Sequence, residues 1–570
     1  MNSDQQFDYI VVGGGSSGCI VAARLAEETD CSVLLLEAGE QAYNNPETMD
    51  ANGFVEAFAN DRVMVDRLSE PQKASGKRRL YMGSGRGMGG SGSVNGMVYT
   101  RGDKLDFAQW PKGWKWNKVA PAFKAVEKRL HIQSRVPTTF TQTCVDASVA
   151  AGFERKDGLN DGQLCGFVGY QTMNFEGDIR RSSYVAYIRN HQLKNLTVIT
   201  QAQVQRIQFD AHKKATGVVY KVDDAVHVAT VSREVILCAG ALETPKLLML
   251  SGVGPLEQLQ KFSIPVVQDE PAIGENLQDH PNVCLFYRGD KELDCFYPQL
   301  YGFHRANPEL DLPEGQGDTC YVFYSAPASI KQSMMRMLPA ITLPPALFHN
   351  RVLRYLLRTL VSALFFLPGV QAYVSKVYGI VVILGKPKSR GRLTLASGNA
   401  ADQASIDPAY FEDPEDLKTM LEGVDRAKHI ATQAPLKAWG NRGMVTANKR
   451  EHKAAVEHWV KNAVMTTFHY CGTCKMGEDE LSPVDLALNL KGVSGIRVAD
   501  ASVIPEIPVS AINAPTMMIG YRAADFILAD LSKLTTANVA STEGTVPEKS
   551  GKTPAAATKS KTDTATDVAS

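Results

Sequence analysis

The stretch Tyr9-Ile-Val-Val-Gly-Gly-Gly-Ser-Ser-Gly18 writes a strand, a tight turn and a helix start into ten residues. Ile10, Val11 and Val12 are uniformly apolar and β-branched, as a parallel strand buried on both faces requires. Gly13, Gly15 and Gly18 fit G-x-G-x-x-G, with Ser16 and Ser17 inside the turn. The first glycine allows the turn, the second lets the backbone approach a pyrophosphate, and the third lets the helix pack on the strand. The helix runs on through Ile20 to Ala26, and its N-terminus offers free N–H groups and a positive dipole end to phosphate.

By itself this pattern also describes a glycine turn without a ligand; its context decides. A second apolar run, Ser32 to Leu36, ends in Glu37-Ala38-Gly39, and Glu37 stands nineteen residues after Gly18. An acid there is placed for ribose hydroxyls and disfavours a 2′-phosphate. The expectation is an adenine dinucleotide site for FAD or NAD, with NADP disfavoured.

The chain has 570 residues, 44% of them hydrophobic, and a formal net charge of zero. It can bury a large core in two or more joined domains, and no basic run suggests nucleic acid. The ten cysteines follow no framework spacing, which fits thiols in a reducing compartment. The first strand begins by about residue 9, leaving no room for a signal peptide; a cytoplasmic location is expected.

Gly83 to Asn95 carries six glycines in thirteen residues, interleaved with Met88 and Val94 and followed by Met97 and Tyr99. Such a loop is ordered and brings main-chain N–H groups to a ligand; Gly89, Gly90, Ser91, Asn95, Gly96, Met97 and Val98 are expected at the cofactor. Trp110, Trp114 and Trp116 read as packing residues. Strands are expected over 195–200, 204–207, 216–221 and 226–231, and a buried strand from Arg233 ends at Ala239-Gly240. Thr244 is placed as a helix cap and Pro245 at a first helical position.

At this point the chain resembles the glucose-methanol-choline family of FAD-dependent oxidoreductases. Gly240 to Gly254 is similar to the family's second signature, Arg86 to Tyr99 to its first, and Gly274-Glu-Asn-Leu-Gln-Asp-His280 to another recurrent element. The likeness runs from about Phe7 to about Leu531; Met88 and Gly92 depart from the usual residues of the first signature. The resemblance implies an α/β fold: a Rossmann-type FAD domain with a parallel sheet (1–157, 193–282 and 461–534) and a substrate domain on an antiparallel sheet (158–192 and 283–460). It also implies that Asp500 and Ala501 lie near the flavin, and that Val204 makes a backbone contact to adenine. FAD is expected to be non-covalent, because Val94 occupies the position where some members carry a linking histidine. From 535 the composition turns to Thr, Ala, Ser and Lys, and the tail is expected to be disordered.

Alcohol oxidation by a flavin needs a base for the hydroxyl proton while hydride leaves carbon, and a neutral imidazole suits that task. A histidine in an apolar run is more often a core residue; the resemblance of Phe468 to Gly477 to the H-x-x-G-T-x-x-M-G motif places His469 on the family's catalytic histidine. Asn513, followed by Ala514 and Pro515, falls on its second catalytic residue, placed to hold the substrate oxygen, and it also reads as a helix cap. Cys471 and Cys474 form a C-x-x-C without a partner pair, so no metal or redox role is assigned. The reading is oxidation of a primary alcohol with quinone or oxygen as electron acceptor. Its alternatives are a hydroxynitrile lyase or fatty acid photodecarboxylase on the same fold, the latter disfavoured by His469, or a choline dehydrogenase-like activity.

By the same resemblance, Cys284 to about Val382 is the family's variable region, where its substrate-facing sheet and lids are built. Within it, 346–367 reads as an amphipathic helix with Arg351, Arg354 and Arg358 opposite Leu353, Leu356, Leu357 and Leu360. Its charges and Pro368 argue against a membrane span. The expectation is membrane-surface contact through 346–375, arginines toward anionic lipid and leucines over a tunnel for medium or long aliphatic alcohols, against the plainer reading of a core helix.

Overall fold

The computed structural model describes residues 6–444 and 453–543. Two compact units divide the chain, Met1–Asp525 and Phe526–Ser570. The first contains both layers of the expected architecture.

The strand Gln6–Val12 pairs in parallel with Val33–Leu36 on one side and with the end of Ala225–Leu237 on the other; Leu196–Ile199 extends the sheet beyond Val33–Leu36. Ile10, Val11 and Leu34 to Leu36 are buried, as their apolar run requires. The long strand Ala225–Leu237 belongs to two systems. Its first half pairs antiparallel with Ala215–Val222, which in turn pairs with Ala202–Phe209, and its last residues take Ile496–Val498 as a parallel neighbour. The two strands expected at 226–231 and from Arg233 are therefore one: a polar Ser232-Arg233 pair interrupts the apolar pattern and shifts the register opposite Asp8, but the strand runs on.

The second sheet is antiparallel through Pro281–Arg288, Val377–Leu384, Thr319–Ser325, Leu300–His304 and Phe167–Tyr170. The helix Pro414–Ala431 packs on Val377–Leu384 with Met420, Val424 and Ala427 buried. The helix Thr139–Ala150 packs on Phe167–Tyr170 and on Pro414–Ala431, and Met465–Thr466 pairs with Pro281–Arg288. The boundaries set at 157 and 460 therefore shift toward 139 and 466, because packing partners decide membership and the chain crosses between layers without a change in composition.

Two further expectations change. The C-terminal helix is Asn513–Glu543, so the tail boundary at 535 falls inside it; 544–570 lie outside the described residues. The stretch 346–367 becomes a short 3-10 turn, Pro345–Leu347, then Arg351–Phe365, with a second helix Pro368–Val374 leaving at 83°. Pro368 begins that second helix, where its missing N–H costs nothing.

Candidate active site

Gly13 has φ 103, and a Cβ on Gly18 would stand 1.9 Å from Gly13 O, so turn and helix start are locked together by close backbone approach. The glycine-rich loop meets this turn directly: a Cβ on Gly90 would lie 2.8 Å from Gly15 Cα. Glu37 ties the two. Its buried carboxylate accepts from the N–H groups of Gly14 (2.8 Å), Gly39 (2.7 Å) and Gly87 (3.0 Å). The acid placed for ribose thus also clamps three loops, and burial raises its pKa against those hydrogen bonds. Arg86 donates to Ala38 O (2.7 Å), and Ala202 donates to Glu37 O (2.9 Å), which brings the strand of Val204 beside the Glu37 turn.

At the same C-terminal edge of the parallel strands, the buried Asp500 accepts from Gly240 N (2.8 Å), the Thr244 hydroxyl (2.6 Å) and Ser502 N (2.8 Å). Thr244 is therefore the first residue of the helix Thr244–Leu250 and not its cap. Asp500 thereby ties Gly240 and Thr244 to the end of the strand Ile496–Val498. Arg180, which sequence reasoning missed, is buried with no ion pair to an acid among the described residues; it donates to Asn95 Oδ1 (2.9 Å), Asn95 O (2.7 Å) and Gly92 O (3.2 Å), holding the glycine-rich loop in shape.

Asn513 is the first residue of its helix, and its Oδ1 accepts from the Ser16 hydroxyl at 2.7 Å. The side chain is turned to the dinucleotide turn and not to capping. Its Nδ2 is buried and has no hydrogen-bond partner among the described residues. The loop leading to Asn513 is fixed by Gln278, which donates to Pro505 O (3.0 Å) and accepts from Ile507 N (3.0 Å) while its backbone pairs with Cys471. One short segment, Gln278-Asp279-His280, thereby holds both catalytic candidates.

His280 is the partner that sequence reasoning left without a role. His280 Nε2 lies 3.1 Å from Gly385 O, and its Nδ1 lies 2.8 Å from His469 Nδ1. A carbonyl only accepts, so His280 carries its proton on Nε2 and presents a bare Nδ1. His469 must then donate from Nδ1, which leaves its Nε2 with a lone pair. Burial lowers the His469 pKa to about 4 and, helped by His469 and Lys386, lowers that of His280 too, so both rings are neutral near pH 7. Asp279 accepts from the main-chain N–H of His469 (2.8 Å) and of His280 (2.9 Å), from Thr466 Oγ1 (2.5 Å) and from the Tyr410 hydroxyl. Burial raises its pKa to about 6.

A pH profile follows. A histidine whose pKa is lowered stays a competent base until pH falls through the lowered value, so kcat/KM should be flat from about pH 8 to about pH 5 and decline only towards about 4. An acid limb near the ordinary histidine value would show that the ring is more exposed to water than this packing implies.

Cys471 and Cys474 are buried thiols whose pKa burial pushes well up; all ten cysteines are free.

The fold and the site define an FAD-dependent oxidoreductase acting on CH–OH donors. The chain belongs to the GMC oxidoreductase family, whose N-terminal model matches residues 7–282 and whose C-terminal model matches 387–520. It is 32% identical over 548 residues to an oxygen-dependent choline dehydrogenase of Pectobacterium atrosepticum, covering 92% of this chain and 94% of that one. Among solved structures it is similar to pyridoxine 4-oxidase from Mesorbium loti (TM-score 0.78, 25% identity, 91% and 98% covered). It is also similar in fold to a formate oxidase (TM-score 0.80, 22% identity, 94% and 100% covered).

The residues fit FAD. Gly13, Gly15, Ser16, Ala38, Ala239 and Gly240 each keep accessible surface beside these loops, and Asn513 Nδ2 is left without a hydrogen-bond partner among the described residues. FAD supplies the hydride acceptor of the reaction. Val94 is packed against Ala57, Val63 and Met64, so no nucleophile stands at the position that links flavin in some members. Acid precipitation should release all yellow colour to the supernatant; colour retained in the pellet would reveal a covalent link.

Proposed function

We propose that the enzyme oxidises an uncharged primary alcohol of medium or long aliphatic chain, His469 Nε2 taking the hydroxyl proton and Asn513 Nδ2 donating to the substrate oxygen. The observation that carries the base assignment is the tautomer relay from Gly385 O through His280 to His469, which leaves one lone pair free. As alkoxide character grows, a buried amide N–H contributes electrostatic stabilisation without itself moving a proton.

The charges around the histidine pair support a neutral substrate over choline. The nearest carboxylate, Asp279, is saturated by four donors, the strand Pro281–Arg288 carries no acid, and the cation of Lys386 lowers the His280 pKa. A quaternary ammonium group is held by a free carboxylate or an aromatic cage; beside His469 the ring of Phe468 meets those of Phe58 and Tyr81, so choline belongs in the test. A turnover series from ethanol to decanol, with choline alongside, tests this: kcat/KM should rise by about fourfold per added methylene, the worth of ~0.8 kcal/mol of apolar burial, until the pocket is filled. A flat series, or choline outperforming octanol, would sink the aliphatic reading. Running the panel once with oxygen and once with a quinone analogue identifies the acceptor.

A further inference from the structure

The helix Arg351–Phe365 is amphipathic, but turned the opposite way from an ordinary surface helix. Two of its three arginines, Arg354 and Arg358, face inward, while Arg351 at its start is exposed. Arg358 pairs with Asp61 at 2.5 Å, and Arg354 bridges Asp61 (3.2 Å) and Asp66, beside the fully buried Arg336 on the neighbouring helix Ala326–Thr342, which contacts the same two carboxylates. Burial alone would raise the Asp61 pKa; the three guanidinium groups reverse this and hold it low. The expectation that these arginines meet lipid is therefore overturned: on this helix Arg354 and Arg358 bind the protein. The core-helix reading fails too, because the apolar stripe points outward. Val352 is 67% exposed, Tyr355 69%, Leu356 56%, Leu360 65% and Phe366 75%, and the surface continues through Ile341, Leu347, Leu364, Leu367 and Tyr373. A contiguous apolar surface of this kind marks an interaction site.

We propose that this outward face, from Arg351–Phe365 across the bend to Pro368–Val374, lies in the headgroup layer of an anionic lipid bilayer. Charge selects that occupant. From Asp318 to Asp402 the sequence contains no intervening Asp or Glu, while Lys331, Arg351 and Lys376 stand on this segment. A second copy docking by a two-fold axis would bring those like charges together, whereas anionic headgroups neutralise them. Tyr355 and Tyr373 provide the amphipathic rings favoured at such a boundary. Among the described residues no single helix is long and apolar enough to cross a membrane, and the 83° bend suits two short segments lying along the interface.

The face is coupled to the active site. Arg336 donates to Phe58 O and stacks over the Phe58 ring at 5.7 Å; Phe58 meets Phe468 at 6.0 Å; Phe468 precedes His469 and keeps 39% of its surface exposed. A lipid-soluble alcohol would therefore arrive close to the catalytic histidine. This substrate step rests on the aliphatic reading above; the docking does not.

Flotation of the holoenzyme with phosphatidylcholine vesicles containing about a quarter phosphatidylglycerol tests the docking at low salt. The protein should float with these vesicles, and less with phosphatidylcholine alone. Leu356→Glu combined with Leu360→Glu should lower binding by about tenfold or more, since each buried leucine carries at least that much transfer energy. FAD absorbance, melting temperature and turnover of a short water-soluble alcohol should stay unchanged in that variant. Wild-type protein remaining at the bottom of the gradient, or the double variant floating like wild type, would overturn the proposal. So would light scattering that shows a dimer lost in the double variant without any flotation. Flotation with a flat alcohol series would uphold docking and sink the aliphatic substrate alone.

Discussion

Replacing His469 by alanine should lower turnover by about a hundredfold to ten-thousandfold, the usual worth of a positioned general base, while bound FAD stays at the wild-type level. The separation of the two readouts follows from the geometry. The loops that fit FAD are held by Glu37, Arg180 and Asp500, none of which is hydrogen-bonded to the His469 ring. Replacing Asn513 should cost less turnover, but it also frees the Ser16 hydroxyl and should weaken FAD retention, so the two variants fail differently. Flavin content by absorbance and turnover on one alcohol suffice. Near-normal turnover in His469→Ala would hand proton removal to another group, and loss of flavin in that variant would show that the histidine is structural.

Gly18→Ala should leave almost no flavin-loaded protein. The added methyl would sit 1.9 Å from Gly13 O, and neither side can yield: Gly13 closes a strand that is paired on both edges, and the helix Gly18–Glu28 is buried along most of its length. Overpacking against backbone here costs about 3 kcal/mol or more. Gly15→Ala is the control, because its methyl meets nothing nearer than 3.9 Å. That protein should fold, with impaired flavin retention, since the methyl occupies space the pyrophosphate uses. Gly18→Ala with full flavin content would mean that the turn is not the cofactor's seat.

These residues also show what sequence can disclose. Gly13, Gly15, Gly18 and the apolar runs beside them are legible because their constraint is local: turn, strand and helix start follow one another within ten residues. His469 is legible only through its motif, since an imidazole among apolar neighbours carries no local mark of catalysis. His280 acquires its role from a carbonyl more than a hundred residues later in the chain and from a ring 189 residues away. A polar Asp-His pair entering an apolar strand is the one signal that could have marked it. Thr244 and Asn513 both read as caps and both turn elsewhere, because Asp500 and Ser16 offer buried hydrogen bonds that outbid a helix end. The arginine stripe was visible as a stripe; its inward direction depends on Asp61 and Asp66, which no helical wheel contains.

The strand Ala225–Leu237 sets a timetable for the making of the enzyme. Its last residues wait between a neighbour from the very beginning of the chain, Gln6–Val12, and one from near its end, Ile496–Val498. On the ribosome the first of these pairs can form early, but the sheet edge at Val235 stays open for nearly half of the chain's synthesis. Asp500 arrives with the closing strand to tie down Gly240 and Thr244. The cofactor cradle that the first eighteen residues announce is thus among the last parts to be finished, and the nascent chain must keep an unpaired apolar strand edge from neighbouring chains until then.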